Sequence, residues 1–274
     1  MRVKNSRLFI IALAAALSAG LLAHSGDASA QGDITAETGY RKLRDPNMYG
    51  TIKMQRTTRD LEDTRPVLFP HWSHRTEYTC NVCHADGGAP MKAGETVVTH
   101  AELDAGQSCG ACHDGATAFS TGESCDRCHS YGLEVGENAD AHRALGDLPP
   151  NEFGNRVDWA EAMRQRRIKP RTSVTDGGEL DTRKTEIVIP VTKFKPAPPD
   201  VMFPHGIHTA QIKCSTCHPE PFAEEEGGNP EMSMLKIMTG DYCGKCHGRV
   251  AFPLGDCFRC HSQPVPEPEE DEEE

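Results

Sequence analysis

The stretch Cys80-Asn81-Val82-Cys83-His84 returns as Cys109-Gly110-Ala111-Cys112-His113 and Cys125-Asp126-Arg127-Cys128-His129. It returns again as Cys214-Ser215-Thr216-Cys217-His218, Cys243-Gly244-Lys245-Cys246-His247 and Cys257-Phe258-Arg259-Cys260-His261. This is C-x-x-C-H six times over, and it consumes all 12 cysteines of the 274-residue chain. C-x-x-C-H is the attachment signature of c-type haem. Two thiols at that spacing reach the two vinyl edges of one porphyrin, and the following histidine is held beneath the iron as its proximal ligand. Other uses of cysteine fit less well. A disulfide framework gives no reason for a histidine after every second cysteine. A zinc ribbon needs two C-x-x-C pairs per metal and does not require the histidine, and a thioredoxin-like motif needs a βαβ setting that is absent. Six covalently bound haem c groups are therefore expected, with His84, His113, His129, His218, His247 and His261 as proximal iron ligands.

Outward from the motifs, the chain is written twice. Val67-Leu68-Phe69-Pro70-His71-Trp72-Ser73-His74 matches Val201-Met202-Phe203-Pro204-His205-Gly206-Ile207-His208 at an offset of 134, which also carries Cys80 to Cys214 and Cys109 to Cys243. After a small deletion the offset is 132 for Cys125 and Cys257, and Ala118-Phe119 matches Ala251-Phe252 at 133. One three-haem module is repeated.

Six six-coordinate irons need six distal ligands. Beyond the proximal set and His24, the histidines are His71, His74, His100, His142, His205 and His208. The first module offers His71, His74 and His100; the second offers only His205 and His208. The repeat offset carries His100 to Met234, and a thioether is a recognised axial ligand that raises the haem potential. The expectation is five bis-histidine haems and one His/Met haem. Met232 and Met238 compete with Met234, and core packing is the ordinary role of methionine. His142 has no counterpart and is read as a solvated linker residue.

The FPHxxH element, the three C-x-x-C-H motifs and the Cys-Gly-x-Cys-His followed by Ala-Phe resemble the triheme cytochrome c7 class of the cytochrome c3 family. The resemblance covers about 67–130 and 201–262. It implies that His71 serves the iron of His84, His74 that of His113, and His100 that of His129. It likewise implies His205 with His218, His208 with His247 and Met234 with His261; Met234 departs from the all-histidine pattern. The implied fold is a mostly irregular, small α+β chain: two tandem triheme modules with little regular secondary structure and a core formed by haems.

The expected organisation is a signal peptide over 1–30, an N-terminal extension over 31–66, triheme modules over 67–130 and 201–262, a linker over 131–200, and an acidic disordered tail over 263–274. Arg2, Lys4 and Arg7, the apolar run Leu8 to Ala23 and the small-x-small Ala28-Ser29-Ala30 form a secretory signal. A retained anchor is the rival, but the run is short of the roughly 20 residues that span a bilayer. Short strands are expected at Val67–Phe69 and Val201–Phe203, short helices at Ala101–Ala105 and Leu235–Thr239, and a linker helix at Asp158–Ile168 with Asp158 and Glu161 spaced as a capping box. Glu186–Val191 reads as an edge strand interrupted by Pro190. Phe69 and Phe203 are expected on porphyrin faces or in ordinary core. Arg164, Arg166, Arg167 and Lys169 read as a solvated face rather than a propionate contact.

Composition points the same way. With 37% hydrophobic and 6% aromatic residues, a protein-only core is thin against the ordering entropy of the backbone. The formal net charge of -12 excludes a basic nucleic-acid surface as the default. The reading is an exported electron carrier in anaerobic respiratory electron transfer, periplasmic or at the cell exterior. Its partners are redox proteins, with no nucleic acid and no membrane span in the mature form. Two rivals stand: a multihaem reductase with an open haem at the Met234 site, and a fixed subunit of a membrane-associated or extracellular redox assembly. Carbon monoxide binding to the reduced protein separates carrier from enzyme.

Overall fold

The computed structural model describes residues 48–54, 64–92, 94–133, 145–175, 178–192 and 196–263. The signal peptide, His142 and the acidic tail from Pro264 onward lie outside the described residues.

Each module opens with a strand that runs through proline into a one-turn helix. Strand β2 (Val67–Pro70) leads into α1 (His71–Arg75), and β4 (Asp200–Pro204) leads into α5 (His205–Thr209). A proline keeps the residue before it extended and has no N–H to donate, so it ends a strand and opens a helix. The two junctions have nearly the same backbone: Pro70 at φ -85°, ψ 103° and Pro204 at φ -86°, ψ 102°.

Each of these strands has an antiparallel partner upstream. Strand β1 (Thr51–Met54) pairs with β2, Thr51 facing Pro70 and Met54 facing Val67. Strand β3 (Glu186–Ile189) pairs with β4, Glu186 facing Pro204 and Ile189 facing Val201. The repeated unit therefore begins earlier than the repeated sequence. The expected edge strand at Glu186 is present and stops at Ile189, before Pro190; β1 lies in the N-terminal extension, where no strand was expected. Strand β5 (His261–Gln263) joins the free side of β4.

The expected short helices are α2 (His100–Asp104) and α6 (Met234–Thr239). Thr99 and Glu102 form a reciprocal capping box on α2, while Ser233 accepts from the Lys236 N–H on α6. Gly106 and Gly240 follow at φ 70° and 104°, the left-handed stop that glycine supplies without a Cβ penalty. The next glycine in each module has a different duty. A Cβ on Gly110 or Gly244 would collide with the carbonyl of Leu103 or Ile237. The glycine of Cys-Gly-x-Cys-His thus lets the attachment turn lie directly on the end of the preceding helix.

Helices α3 (Cys125–Cys128) and α7 (Cys257–Cys260) are the third attachment motif of each module. Between the modules, α4 (Trp159–Arg164) is shorter than the expected Asp158–Ile168. Arg166 adopts φ 58°, and the Arg167 N–H turns back to the Ala162 carbonyl at 2.8 Å. The stop is made by a left-handed arginine, so no glycine marks it. Arg164, Arg166, Arg167 and Lys169 are exposed, and Arg164 pairs with Glu161.

Apolar packing is sparse. A cluster of Trp72, Leu145 and Val157, joined by Leu148 and Trp159, forms the hydrophobic core among the described residues. It binds α1 of the first module to the segment around α4. Both modules otherwise consist of turns around their C-x-x-C-H motifs, as a small, irregular α+β fold.

Candidate haem centres

Local backbone geometry sets each attachment motif. The N–H of His113, His129, His218 and His247 donates to the carbonyl of the first cysteine of its motif at 2.8–2.9 Å. One helical turn of this kind puts residues i, i+3 and i+4 on one face: both thiols and the imidazole. None of the twelve cysteines is in a disulfide. Burial raises the Cys243 thiol to about 11 and the Cys246 thiol to about 12, so these sulfurs are protonated thiols before they form thioethers.

The structure then brings histidines together across sequence. His71 faces His84 with ring centroids 6.2 Å apart and planes within 5°, and His100 faces His129 at 6.0 Å, also within 5°. His74 faces His113 at 6.2 Å, and His208 faces His247 at 6.1 Å, with interplanar angles of 57° and 60°. Parallel rings stacked face to face would approach to about 3.5–4.0 Å. A metal–imidazole bond is about 2 Å long and the nitrogen lies about 1 Å from the ring centre, so two imidazoles on opposite sides of one iron stand about 6 Å apart. The spacing fits an interposed metal. The equivalent pairs have equivalent angles: His74/His113 and His208/His247 match, as the repeat requires.

His205 lies within the electrostatic reach of His218. Met234 is the first residue of α6, as His100 is the first residue of α2. Met232 precedes the cap residue, and Met238 lies toward the far end of the helix and is 55% exposed.

Backbone carbonyls orient the rings. Nδ1–H donates to a carbonyl oxygen from His71 (Gly50, 3.2 Å), His74 (Pro70, 3.0 Å), His84 (Ala89, 2.9 Å) and His113 (Phe119, 3.1 Å). The same holds for His129 (Arg65, 2.7 Å), His208 (Pro204, 2.9 Å), His218 (Phe222, 2.9 Å) and His261 (Pro199, 2.8 Å). A carbonyl only accepts, so the proton resides on Nδ1 and Nε2 is left with its lone pair free for a metal. His247 differs. Its Nδ1 is buried beside the Phe252 carbonyl, the counterpart of Phe119, without reaching hydrogen-bond geometry.

Burial favours the neutral form of five ligand candidates. Desolvation, followed by the neighbouring His84, lowers His71 to about 4; desolvation and then His208 lower His247 to about 4. Burial likewise lowers His74, His205 and His208. Neutral imidazole is the ligating form.

Phe69 and Phe203 pack on the histidines: Phe69 lies 4.8 Å from His71 and 4.5 Å from His74, and Phe203 lies 4.9 Å from His205 and 4.5 Å from His208. Each phenyl ring thus contacts both histidines of its own FPHxxH element. The carbonyl acceptors were not foreseen from sequence, because any residue supplies one. The proline of FPHxxH is the exception, since its carbonyl lies four residues before the second histidine in both copies.

Residues 67–130 and 201–262 match the family described as cytochrome c7 and related cytochrome c. Among solved structures, the chain is similar to the C-terminal hexahaem fragment of GSU1996, at 26% identity over 77% of this chain and 96% of that one, TM-score 0.25. It is also similar to dodecahaem cytochrome c GSU1996, at 21% identity over 79% of this chain and 76% of that one, TM-score 0.26. The N-terminal hexahaem fragment of that protein matches at 23% identity over 77% and 98%, TM-score 0.23. No curated protein matches the chain.

Proposed function

We propose that the chain, whose residues 67–130 and 201–262 match the cytochrome c7 family, holds six haem c groups and acts as an electron carrier in anaerobic respiratory electron transfer. The observation that carries this reading is the set of four facing imidazole pairs 6.0–6.2 Å apart. Bound haem supplies a one-electron iron couple. The two imidazoles of such a pair would hold the iron between them and would leave it no position for a substrate.

The first module, 67–130, attaches its groups through Cys80 and Cys83, Cys109 and Cys112, and Cys125 and Cys128. His71 then ligates opposite His84, His74 opposite His113, and His100 opposite His129. The second module, 201–262, uses Cys214 and Cys217, Cys243 and Cys246, and Cys257 and Cys260. There His205 ligates opposite His218, His208 opposite His247, and Met234 opposite His261. Support for Met234 over its neighbours comes from its place at the head of α6. The carbonyls bonded to Nδ1 fix each ring and increase the basicity of Nε2.

Residues 1–30 act as a signal peptide in this reading, and the mature chain works in the periplasm or at the cell exterior. Among the described residues no helix is long and apolar enough to cross a membrane. The acidic charge of -12 suits redox partners with basic docking faces.

The test has two parts. Mass measurement with pyridine haemochrome quantification should give six haems per chain, and the fully reduced protein should bind carbon monoxide substoichiometrically. A count other than six overturns the haem assignment. Stoichiometric carbon monoxide binding overturns the carrier in favour of a reductase whose open iron is at the Met234 site.

A further inference from the structure

Arg75 breaks the symmetry of the repeat. It closes α1 immediately after His74, where the second module has Thr209 at the end of α5. Thr209 turns inward: its hydroxyl donates to the His205 carbonyl at 2.9 Å and accepts from the Arg183 N–H at 2.9 Å. Arg75 turns outward, into the other module. Its Nη1 donates to the Val250 carbonyl at 3.2 Å, three residues past His247. The guanidinium stacks 4.5 Å over the Trp159 ring.

The surroundings of that guanidinium come from both halves of the chain. Cys80, Tyr49 and Cys246 are its electrostatic neighbours, and the side chain is half-buried. Its positive charge is felt by His71 on one side and by His247 on the other. Tyr49 reinforces the crossing by donating to the Ala251 carbonyl at 2.6 Å. Among the described residues no carboxylate pairs with Arg75, whereas Arg259, another partly buried arginine, has both Asp158 and Asp256.

We propose that Arg75 is a shared electrostatic control at the junction of the two modules, raising the electron affinity of the centre on Cys80, Cys83 and His84 and of the centre on Cys243, Cys246 and His247 together. This rests on the haem reading above. A fixed positive charge favours the reduced state of any centre close to it, and a half-buried guanidinium is screened less than an exposed one. Because one charge serves a centre from each module, the two centres shift as a matched pair. The first centre of one module is thereby tied to the middle centre of the other. The threonine at the twin position gives the second module no such charge, so its own first centre is not controlled in this way.

The experiment is a haem-resolved redox titration of the six-haem protein, its haem count verified first, with Arg75→Gln, Arg75→Lys and Tyr49→Phe. Arg75→Gln keeps a donor for the Val250 carbonyl and removes the charge. Two of the midpoint potentials, one per module, should fall by a tenfold or greater loss of electron affinity, about 59 mV each for a one-electron couple. Arg75→Lys should retain most of both potentials. Tyr49→Phe, which loosens the same junction without touching charge, should leave them in place. In the unmodified protein, the largest redox interaction between a centre of one module and a centre of the other should join these two. The proposal is overturned if Arg75→Gln leaves all potentials unmoved, if Gln and Lys act alike, or if the strongest inter-module interaction joins a different pair. A variant short of six haems points instead to failed attachment, and the wild-type interaction measurement then decides alone.

Discussion

Met234 stands at the head of α6 where His100 stands at the head of α2, each behind a hydroxyl cap residue, Ser233 or Thr99. In the proposed ligand set, a thioether at this one position would raise one haem potential, since Met/His ligation raises a haem potential relative to bis-histidine. Met234→His should therefore lower one midpoint potential and leave the protein low-spin. Met234→Ala should open that iron to carbon monoxide. Potentiometric titration and carbon monoxide difference spectra check both; an unchanged set of potentials in Met234→His would remove Met234 from the ligand set. At this scale the sequence was informative because thiols, imidazoles and the thioether carry their chemistry in their side chains. It was silent on the carbonyls of Ala89, Phe119 and Arg65 that hold the proximal rings, because a main-chain acceptor leaves no trace in residue type. Arg75 was silent for another reason. Its meaning depends on Val250, 175 positions away.

Among the elements, α4 shows how one residue serves two structures. Asp158 accepts from the Glu161 N–H at 3.0 Å to cap the helix, and accepts from Arg259 Nη2 at 2.7 Å to tie that helix to α7. Burial pushes the Asp158 carboxyl up, but the hydrogen bond and charge of Arg259, together with the backbone N–H groups of Glu161 and Ala160, outweigh it, and the group sits below the usual carboxylate value. A carboxylate depressed on folding stabilises the native state above its unfolded pKa, and that contribution fades as pH falls through the depressed folded value. Asp158→Ala, which loses cap and pair, should cost about 1–2 kcal/mol at pH 7, in line with lost N-caps. Asp158→Asn keeps a capping oxygen and should cost less, and its deficit should shrink as the pH is taken below about 4, where the wild-type carboxylate begins to protonate. Denaturant unfolding at pH 7 and pH 3 reads this; a deficit for Asp158→Asn that grows on acidification would contradict the sign. The capping pair was legible from its spacing. The strand partners were less so, because β1 and β3 share a register against FPHxxH but no motif: Thr51-Ile52-Lys53-Met54 and Glu186-Ile187-Val188-Ile189 have only Ile and the pairing in common. Pairing is a long-range fact, and the differing connections after β1 and β3 hide the repeat from a fixed offset.

For the whole molecule, the question is whether two modules on one chain are two bodies or one. The repeat suggests beads on a tether, and the Pro- and Gly-rich connection reads as a linker. The contacts argue for a single body. The Thr79 N–H donates to the Arg171 carbonyl at 2.9 Å, and the Asn81 N–H, inside the first attachment motif, donates to the Gln211 carbonyl of the second module at 2.9 Å. Asn81 is 1% exposed, and its Nδ2 reaches Asp86 at 2.8 Å, which in turn pairs with Lys213. Trp72 of α1 is buried against Leu145 and Val157, residues that follow the first module by a dozen or more positions. The segment around α4 is thus the mortar between the modules: it holds the first through Trp72 and Arg171 and the second through Arg259 and through Gln211, which donates to the Met163 sulfur at 2.7 Å. Such burial survives loss of covalent continuity, because chain connection adds effective concentration but no contacts. A protease site placed within residues 134–144 should therefore be cut without parting the halves. The nicked haem-loaded protein should elute at the intact size in non-denaturing size-exclusion chromatography and separate only in denaturant. Two fragments eluting apart without denaturant would mean that the junction, Arg75 included, is too weak to hold the modules in register.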